Sequence, residues 1–150
     1  LTLKFLGNTD STLIPRLLDA LWNPNLQALD LHLRLSKAIG VFPDQGKPRI
    51  IWAGLEGNLE KLARLNSTIN ANMNMFGFAN ESRSFIPHLT LGRMATRFNL
   101  HQRRKVVQAL MKDYVTKTPT WHLKEIHLMQ SLTTPEGSTY RTLATIPLVR

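Results

Sequence analysis

The chain has 150 residues and a mass of 17.1 kDa, and its 43% hydrophobic and 19% charged content is that of one globular domain rather than a disordered or low-complexity segment. No apolar run approaches the ~20 residues of a membrane-spanning helix, so no membrane partner is expected. The 19 Lys and Arg against 10 Asp and Glu give a net charge of +9, which indicates either a polyanionic partner such as nucleic acid or a basic surface that only aids solubility. The absence of cysteine excludes a disulfide scaffold and a cysteine nucleophile and is typical of a reducing cytoplasm, where we expect the protein to be located.

The first half of the chain predicts alternating strands and helices. Residues 1–7 have a strand-like pattern that ends at Gly7, and a helix capped by one of residues 9–11 follows to about residue 22. Apolar residues at every second position predict a strand over residues 29–35, and Pro and Gly predict a loop over residues 40–48.

The remaining elements follow the same logic. The pattern predicts a strand over residues 49–54, an amphipathic helix over 58–75, a strand over 86–92, a helix over 99–115 and a closing hairpin over 122–148. On the third helix, Arg103, Arg104, Lys105 and Lys112 are expected to point outward. The order lacks strict strand-helix-strand alternation, so we expect an α+β fold with mainly antiparallel pairing. The strand-helix unit over 1–22 is echoed over 86–115, which suggests two related lobes.

The most informative segment is FIPHLTLGR, residues 85–93. On a strand, His88 and Thr90 share one face while Leu89 and Leu91 share the other. An imidazole can give or take a proton near neutral pH, and a neighbouring hydroxyl can donate a hydrogen bond to a phosphoryl oxygen. Taken alone, a His-x-Thr pattern is more often a structural histidine on a strand than a catalytic one.

A second occurrence of this pattern changes the interpretation. The segment LTL over residues 1–3 matches residues 89–91 in phase, and the repeat requires a histidine immediately before Leu1. By contrast, His122 and His127 are expected on opposite faces of one strand, and no metal-ligand spacing is present in the sequence, so no metal site is expected.

These residues resemble the two-histidine phosphoesterases, specifically the RNA 2′,3′-cyclic phosphodiesterases once called 2′-5′ RNA ligases. The first motif of that family reads HLTLKFLG, of which residues 1–7 supply all but the histidine. Further matches in order are GVFP over 40–43, the strand over 49–54, Arg83 with residues 85–93, and Ser131, Gly137 and Tyr140 ahead of residues 147–148. The sequence departs from the family pattern in two ways. It lacks the N-terminal part, including the first histidine, and it has Ser84 where a proline is common.

The resemblance implies a fold and an activity. The expected fold has two pseudo-symmetric lobes of antiparallel sheet, with helices packed outside and a cleft between them, and residues 1–150 form one bilobal domain truncated at its N-terminus. The expected reaction hydrolyses an RNA 2′,3′-cyclic phosphate end to a 2′-phosphate end, with one histidine as general base and the other as general acid. A reversible 2′-5′ joining activity is compatible with this chemistry.

The same resemblance implies the roles of individual residues. The catalytic set is His88, Thr90 and Thr2, with both threonines binding the non-bridging oxygens. Arg93, Arg83 and Phe5 are the substrate-binding candidates, although a core position suits Phe5 equally well. No cofactor and no metal are implied, and a monomer is expected. Two alternatives stay open: an RNA- or nucleotide-binding module with impaired catalysis, and a phosphodiesterase for a small cyclic nucleotide.

Overall fold

The computed structural model describes residues 1–23, 26, 29–79, 84–110, 118–135 and 137–148. The helices are a short 3-10 turn at Ser11–Leu13, α1 at Ile14–Leu21, α2 at Leu59–Asn74 and α3 at Leu100–Leu110. The strands are β1 at Leu31–Phe42, β2 at Ile50–Gly57, β3 at His88–Arg93, β4 at Thr120–Leu123, β5 at Glu125–Thr134 and β6 at Gly137–Pro147.

Within these described residues, the strands form two sheets. One has four strands in the order β3-β2-β1-β4, and the other is the β5-β6 hairpin. The β1-β2, β2-β3 and β5-β6 pairs are all antiparallel. The predicted α+β class with antiparallel pairing is therefore confirmed.

The predictions for residues 1–7 and for the start of the loop at residue 40 are wrong. Residues 1–7 form no strand in the structure, and the carbonyl of Leu3 accepts a hydrogen bond at 2.5 Å from the buried side chain of Asn66. A side chain of α2 thus binds a backbone carbonyl that, in the predicted strand, would have been available for pairing with a neighbouring strand. The loop predicted from residue 40 begins only after Phe42, because Gly40 lies within β1 opposite Trp52.

Side-chain caps stabilise two of the helical starts, the 3-10 turn before α1 and the start of α3. The carboxylate of Asp10 accepts hydrogen bonds from the backbone N–H and the hydroxyl of Thr12, both at 2.9 Å. The backbone bond first, and then the hydroxyl bond, hold the pKa of Asp10 below its ordinary value. At α3, Asn99 and Gln102 exchange side-chain bonds with each other's backbone N–H, which is a capping box.

The chain divides into two compact units. The first unit comprises Leu1–Thr2, His32–Leu59 and Phe85–Trp121, and the second comprises Leu3–Leu31, Glu60–Ser84 and His122–Arg150. The buried core residues of the first unit include Leu33, Ala53, Leu55, Met94 and Val107. Those of the second unit include Leu17, Leu31, Leu62, Leu65, Ile69, Met73 and Ile146.

Within the second unit, the Asn72 amide of α2 donates a hydrogen bond to the Ala20 carbonyl of α1 at 2.9 Å, so a polar contact joins these two helices. In the part of the chain that the structure describes, none of the helices has the length and apolarity needed to cross a membrane. Residues 111–115 of the predicted third helix, with Lys112, lie outside the described residues, and so does Arg83.

Candidate active site

The pairing of β2 with β3 decides which side chains of the FIPHLTLGR segment share a face. His88 pairs with Gly54, Thr90 with Trp52 and Arg93 with Ile50. Residues 50, 52 and 54 of β2 lie on one face, and directly paired residues of antiparallel strands project to the same side. His88, Thr90, Arg93 and Trp52 therefore share one sheet face, which we call the motif face.

Arg93 reaches this face only because β3 contains a bulge. In strict alternation, an odd-numbered residue would point away from His88 and Thr90. The register shifts between Ile51 and Trp52 of β2, so that Leu91 is an extra residue in β3. A bulge re-aims the residues that follow it, and here it brings Arg93 into line with Thr90.

The bulge also corrects the expectation for the leucines. Leu89 and Leu91 were expected to share the face opposite His88 and Thr90, whereas Leu91 is the extra residue and is 57% exposed. Leu89, which precedes the bulge and pairs with buried Ala53, is half-buried as expected. The extra residue therefore explains why only one of the two leucines faces the core.

A backbone hydrogen bond fixes the orientation of the His88 ring. Its Nδ1 lies 2.8 Å from the carbonyl oxygen of Ile86. A carbonyl can only accept, so Nδ1 carries the proton and donates it to this bond. In the neutral ring, Nε2 then has the lone pair, and it is the atom that can take a proton from a bound group.

Two aromatic side chains that the sequence analysis did not single out surround His88. The ring of Phe42 packs edge-on against the imidazole at 5.0 Å between centroids, and that of Trp52 at 6.0 Å, while Phe42 and Trp52 stack on each other at 5.1 Å. Gly40 makes this possible, because a Cβ at Gly40 would overlap the indole of Trp52. Only the register of β1, β2 and β3 together could have indicated this cluster.

The other predicted site residues lie in different places. Thr2 is exposed and belongs to the same unit as His88. Phe5 belongs to the second unit and is 75% exposed, so the core alternative for Phe5 is wrong and its ring is accessible to a ligand. Arg83 lies outside the described residues, and Thr90 and Arg93 are both exposed on the motif face.

The backbone that follows Thr2 is held by polar side chains of α2. Beside the bond from Asn66 to the Leu3 carbonyl, the ammonium group of Lys4 donates to the Asn70 side chain at 2.6 Å and to the Ala79 carbonyl at 2.9 Å. Asn70 in turn donates to the side-chain oxygen of Asn66 at 3.1 Å. This network ties residues 3 and 4 to one helix of the second unit.

The prediction that His122 and His127 lie on one strand is wrong. His122 lies on β4 and His127 on β5. The Nε2 atom of His122 is 2.8 Å from a carboxylate oxygen of Asp30, and that of His127 is 3.2 Å from Glu125. Both rings therefore contact acidic side chains within the second unit.

The sequence and the fold match one family of proteins. Residues 1–135 match the model of the 2′-5′ RNA ligase superfamily. A protein of Methanocaldococcus jannaschii named RNA 2′,3′-cyclic phosphodiesterase is 30% identical over 143 residues, which cover 95% of this chain and 76% of that protein. A protein of the same name from Aeropyrum pernix is 27% identical, with 95% of this chain and 78% of that protein covered.

Solved structures show the same fold. A Thermus thermophilus protein aligns with a TM-score of 0.75 at 24% identity, covering 99% of this chain and 76% of that one. Escherichia coli LigT, solved in complex with 3′-AMP, aligns with a TM-score of 0.71 at 20% identity, covering 99% and 75% of the two chains.

The hydrogen bond to Ile86 predicts the tautomer of His88. In ¹⁵N NMR spectra at a pH where the ring is neutral, we expect the proton on Nδ1 and an unprotonated Nε2, because the carbonyl stabilises the Nδ1–H form. The exposed His101 on α3 provides the reference ring in the same spectra. Protonation of His88 mainly at Nε2 would contradict the assigned orientation.

Proposed function

Because the chain belongs to the 2′-5′ RNA ligase superfamily, we propose that it hydrolyses the 2′,3′-cyclic phosphate at the end of an RNA strand to a 2′-phosphate. The observation that carries the proposal is the arrangement on the motif face. His88 directs its Nδ1 to a carbonyl, which leaves Nε2 for proton transfer, and Thr90 lies two residues further along the same face. The names of the curated relatives support the same reaction.

The chemistry requires two proton transfers on opposite sides of phosphorus. A water oxygen attacks phosphorus and loses a proton to a general base, while the bond to O3′ breaks and O3′ takes a proton from a general acid. Each such transfer typically contributes about 10²–10⁴ in rate. His88 carries one of them, and the hydroxyl of Thr90 donates a hydrogen bond to a non-bridging oxygen as negative charge moves onto it.

The second proton-transfer group is the histidine that the repeated motif requires immediately before Leu1, with Thr2 as the counterpart of Thr90. This part of the proposal rests on the in-phase match of residues 1–3 with residues 89–91. The codon upstream of Leu1 tests it directly, because a residue other than histidine there would favour a binding module over an enzyme.

Substrate contacts complete the proposal. Arg93, on the motif face, and Arg83 bind phosphate oxygens through their planar guanidinium groups, and the exposed ring of Phe5 stacks on a base. Replacement of the attacking water by a 5′-hydroxyl would form a 2′-5′ linkage with the same bond to O3′ breaking. We propose that the protein acts on RNA in the cytoplasm as a monomer.

Replacement of His88 by alanine tests the proposal. In the protein as its gene encodes it, H88A should lower kcat on an RNA with a 2′,3′-cyclic end by at least about 100-fold and leave KM nearly unchanged, because it removes a proton-transfer group but little binding area. The assay uses excess EDTA, since the mechanism requires no metal.

The matched control is H127A, because His127 contacts Glu125 and Thr145 in the second unit. This control should keep wild-type turnover. Wild-type turnover by H88A would overturn the role of His88, and activity that disappears in EDTA and returns with added metal would overturn the mechanism.

The asparagines of α2 allow a second test, on the position of Thr2. N66A should lower kcat about 10-fold without raising KM, because loss of one hydrogen bond is worth roughly 0.5–1.5 kcal/mol and the bond of Asn66 restrains the backbone beside Thr2. The double variant N66A/T2V should have the same kcat as T2V alone, since both changes act through the Thr2 hydroxyl.

The control for this test is N72A, which removes an equivalent amide-to-carbonyl bond from the same helix, here to Ala20. It should reduce stability to a similar extent and leave kcat unchanged. An equal fall in kcat for N66A and N72A would mean that Asn66 only stabilises the fold.

A further inference from the structure

The positive charge of the described residues is concentrated in the first unit. There, nine Lys and Arg accompany only two acidic residues, whereas the second unit has six Lys and Arg and five acidic residues. The positive charge is therefore unevenly distributed between the two units, and most of the excess of Lys and Arg over acidic residues lies in the unit that contains His88.

Five of these cations surround one structural junction and form what we call the basic cluster: Lys47, Arg49, Arg93, Arg97 and Arg104. All five are exposed. The side chain of Arg103, predicted to point outward, is instead half-buried at the centre of the junction.

The guanidinium group of Arg103 joins the elements that carry the cluster. It donates to the carbonyl oxygens of Phe98 at 2.9 Å, Ala95 at 3.3 Å and Pro48 at 3.4 Å. The helix α3, the turn after β3 and the loop before β2 are thus fixed to one another. Burial against carbonyl dipoles explains why this arginine departs from the outward prediction.

One backbone contact and two side-chain contacts connect the segments that carry the cluster. The N–H of Met94, which follows Arg93, donates to the carbonyl of Arg49 at 2.8 Å. The side chain of Arg104 donates to the carbonyl of Gly46, the neighbour of Lys47, at 3.3 Å. The guanidinium group of Arg97 lies 5.7 Å from the centre of the Phe98 ring, in the turn that Arg103 holds.

The two acidic residues that the structure describes in this unit both have hydrogen-bonding or ion-pair partners. The carboxylate of Asp44 accepts from the backbone N–H groups of Gly46 and Lys47 at 2.6 and 3.0 Å, and that of Glu56 pairs with Arg34 at 2.6 Å. Within the described residues, no ion pair joins either carboxylate to the basic cluster. The cluster's charge is therefore available to a polyanion.

We propose that the basic cluster binds the phosphates of the RNA upstream of the reacting end and makes the enzyme selective for oligonucleotides over mononucleotide cyclic phosphates. Arg93 connects the two sites, because it lies on the motif face with Thr90 and also borders Arg49. Four of the five cations are arginines, whose planar fork matches phosphate oxygens. The inference rests on the proposed function.

The experiment compares two substrates, a mononucleotide 2′,3′-cyclic phosphate and a hexanucleotide with the same end. For the wild type, we expect kcat/KM to be at least about 10-fold higher for the hexanucleotide at about 50 mM salt, and this preference to shrink by about 200 mM salt. The double variant R49A/R97A should lose the preference and turn over the mononucleotide as the wild type does.

Salt dependence provides a quantitative readout. A phosphate contact to single-stranded nucleic acid contributes a slope of about 0.7 in log affinity against log salt, so removal of two contacts should lower the slope for the hexanucleotide by about 1.4. The matched control R64A/R141A removes the same charge from exposed positions of the second unit and should keep both the preference and the slope.

The outcomes separate this inference from the proposed function. Equal kcat/KM for both substrates in the wild type, or equal loss in both double variants, would overturn the role of the basic cluster while hydrolysis itself stood. If neither substrate is hydrolysed, the proposed function fails. The cluster is then tested by fluorescence anisotropy with a hexanucleotide bearing a 2′-phosphate, where unchanged affinity of R49A/R97A would overturn it.

Discussion

The antiparallel register between β2 and β3, with its one extra residue at Leu91, is the constraint on which the candidate site depends. It places His88 and Thr90 on the same face as Trp52 and returns Arg93 to that face. A shift of one residue in this pairing would turn all three side chains to the opposite side of the sheet. The geometry that the proposed chemistry needs is therefore a property of strand pairing.

The register also determines what surrounds the imidazole. Gly40 lies opposite Trp52, and the space above this glycine accommodates the indole that packs with Phe42 beside His88. The bond from Nδ1 to the Ile86 carbonyl then leaves the lone pair of the neutral ring on Nε2. Beyond the bulge, β3 ends in the junction held by Arg103, so one strand connects His88, the proposed proton-transfer group, with the basic cluster.

Local patterns made much of this fold predictable. The alternation around Leu31 and Leu33, the helical period of α2 and the Asn99 cap each depend on neighbours in sequence, and all three are confirmed. The shared face of His88 and Thr90 follows from the same period-2 rule. The exposure of Leu91 could not be predicted, because a bulge arises only when two strands pair.

Features that depend on contacts between different segments of the chain could not be predicted from the sequence. The bond from Asn66 to Leu3 joins residues 63 positions apart, and nothing in the alternating pattern of residues 1–7 indicates that a side chain of α2 binds their backbone. Arg103 was expected in solvent because its helical position is polar, yet its guanidinium group donates to backbone carbonyls outside α3, among them that of Pro48, 55 positions away.

The most direct test of the central claim, that phosphate is bound on the motif face by His88 and Thr90, is an NMR titration of the protein with adenosine 2′-phosphate, which carries the proposed product end. We expect saturable shifts of the His88 ring nitrogens and the Thr90 amide, with the same midpoint for both. Saturable binding that shifts other residues and leaves both of these unchanged would contradict it.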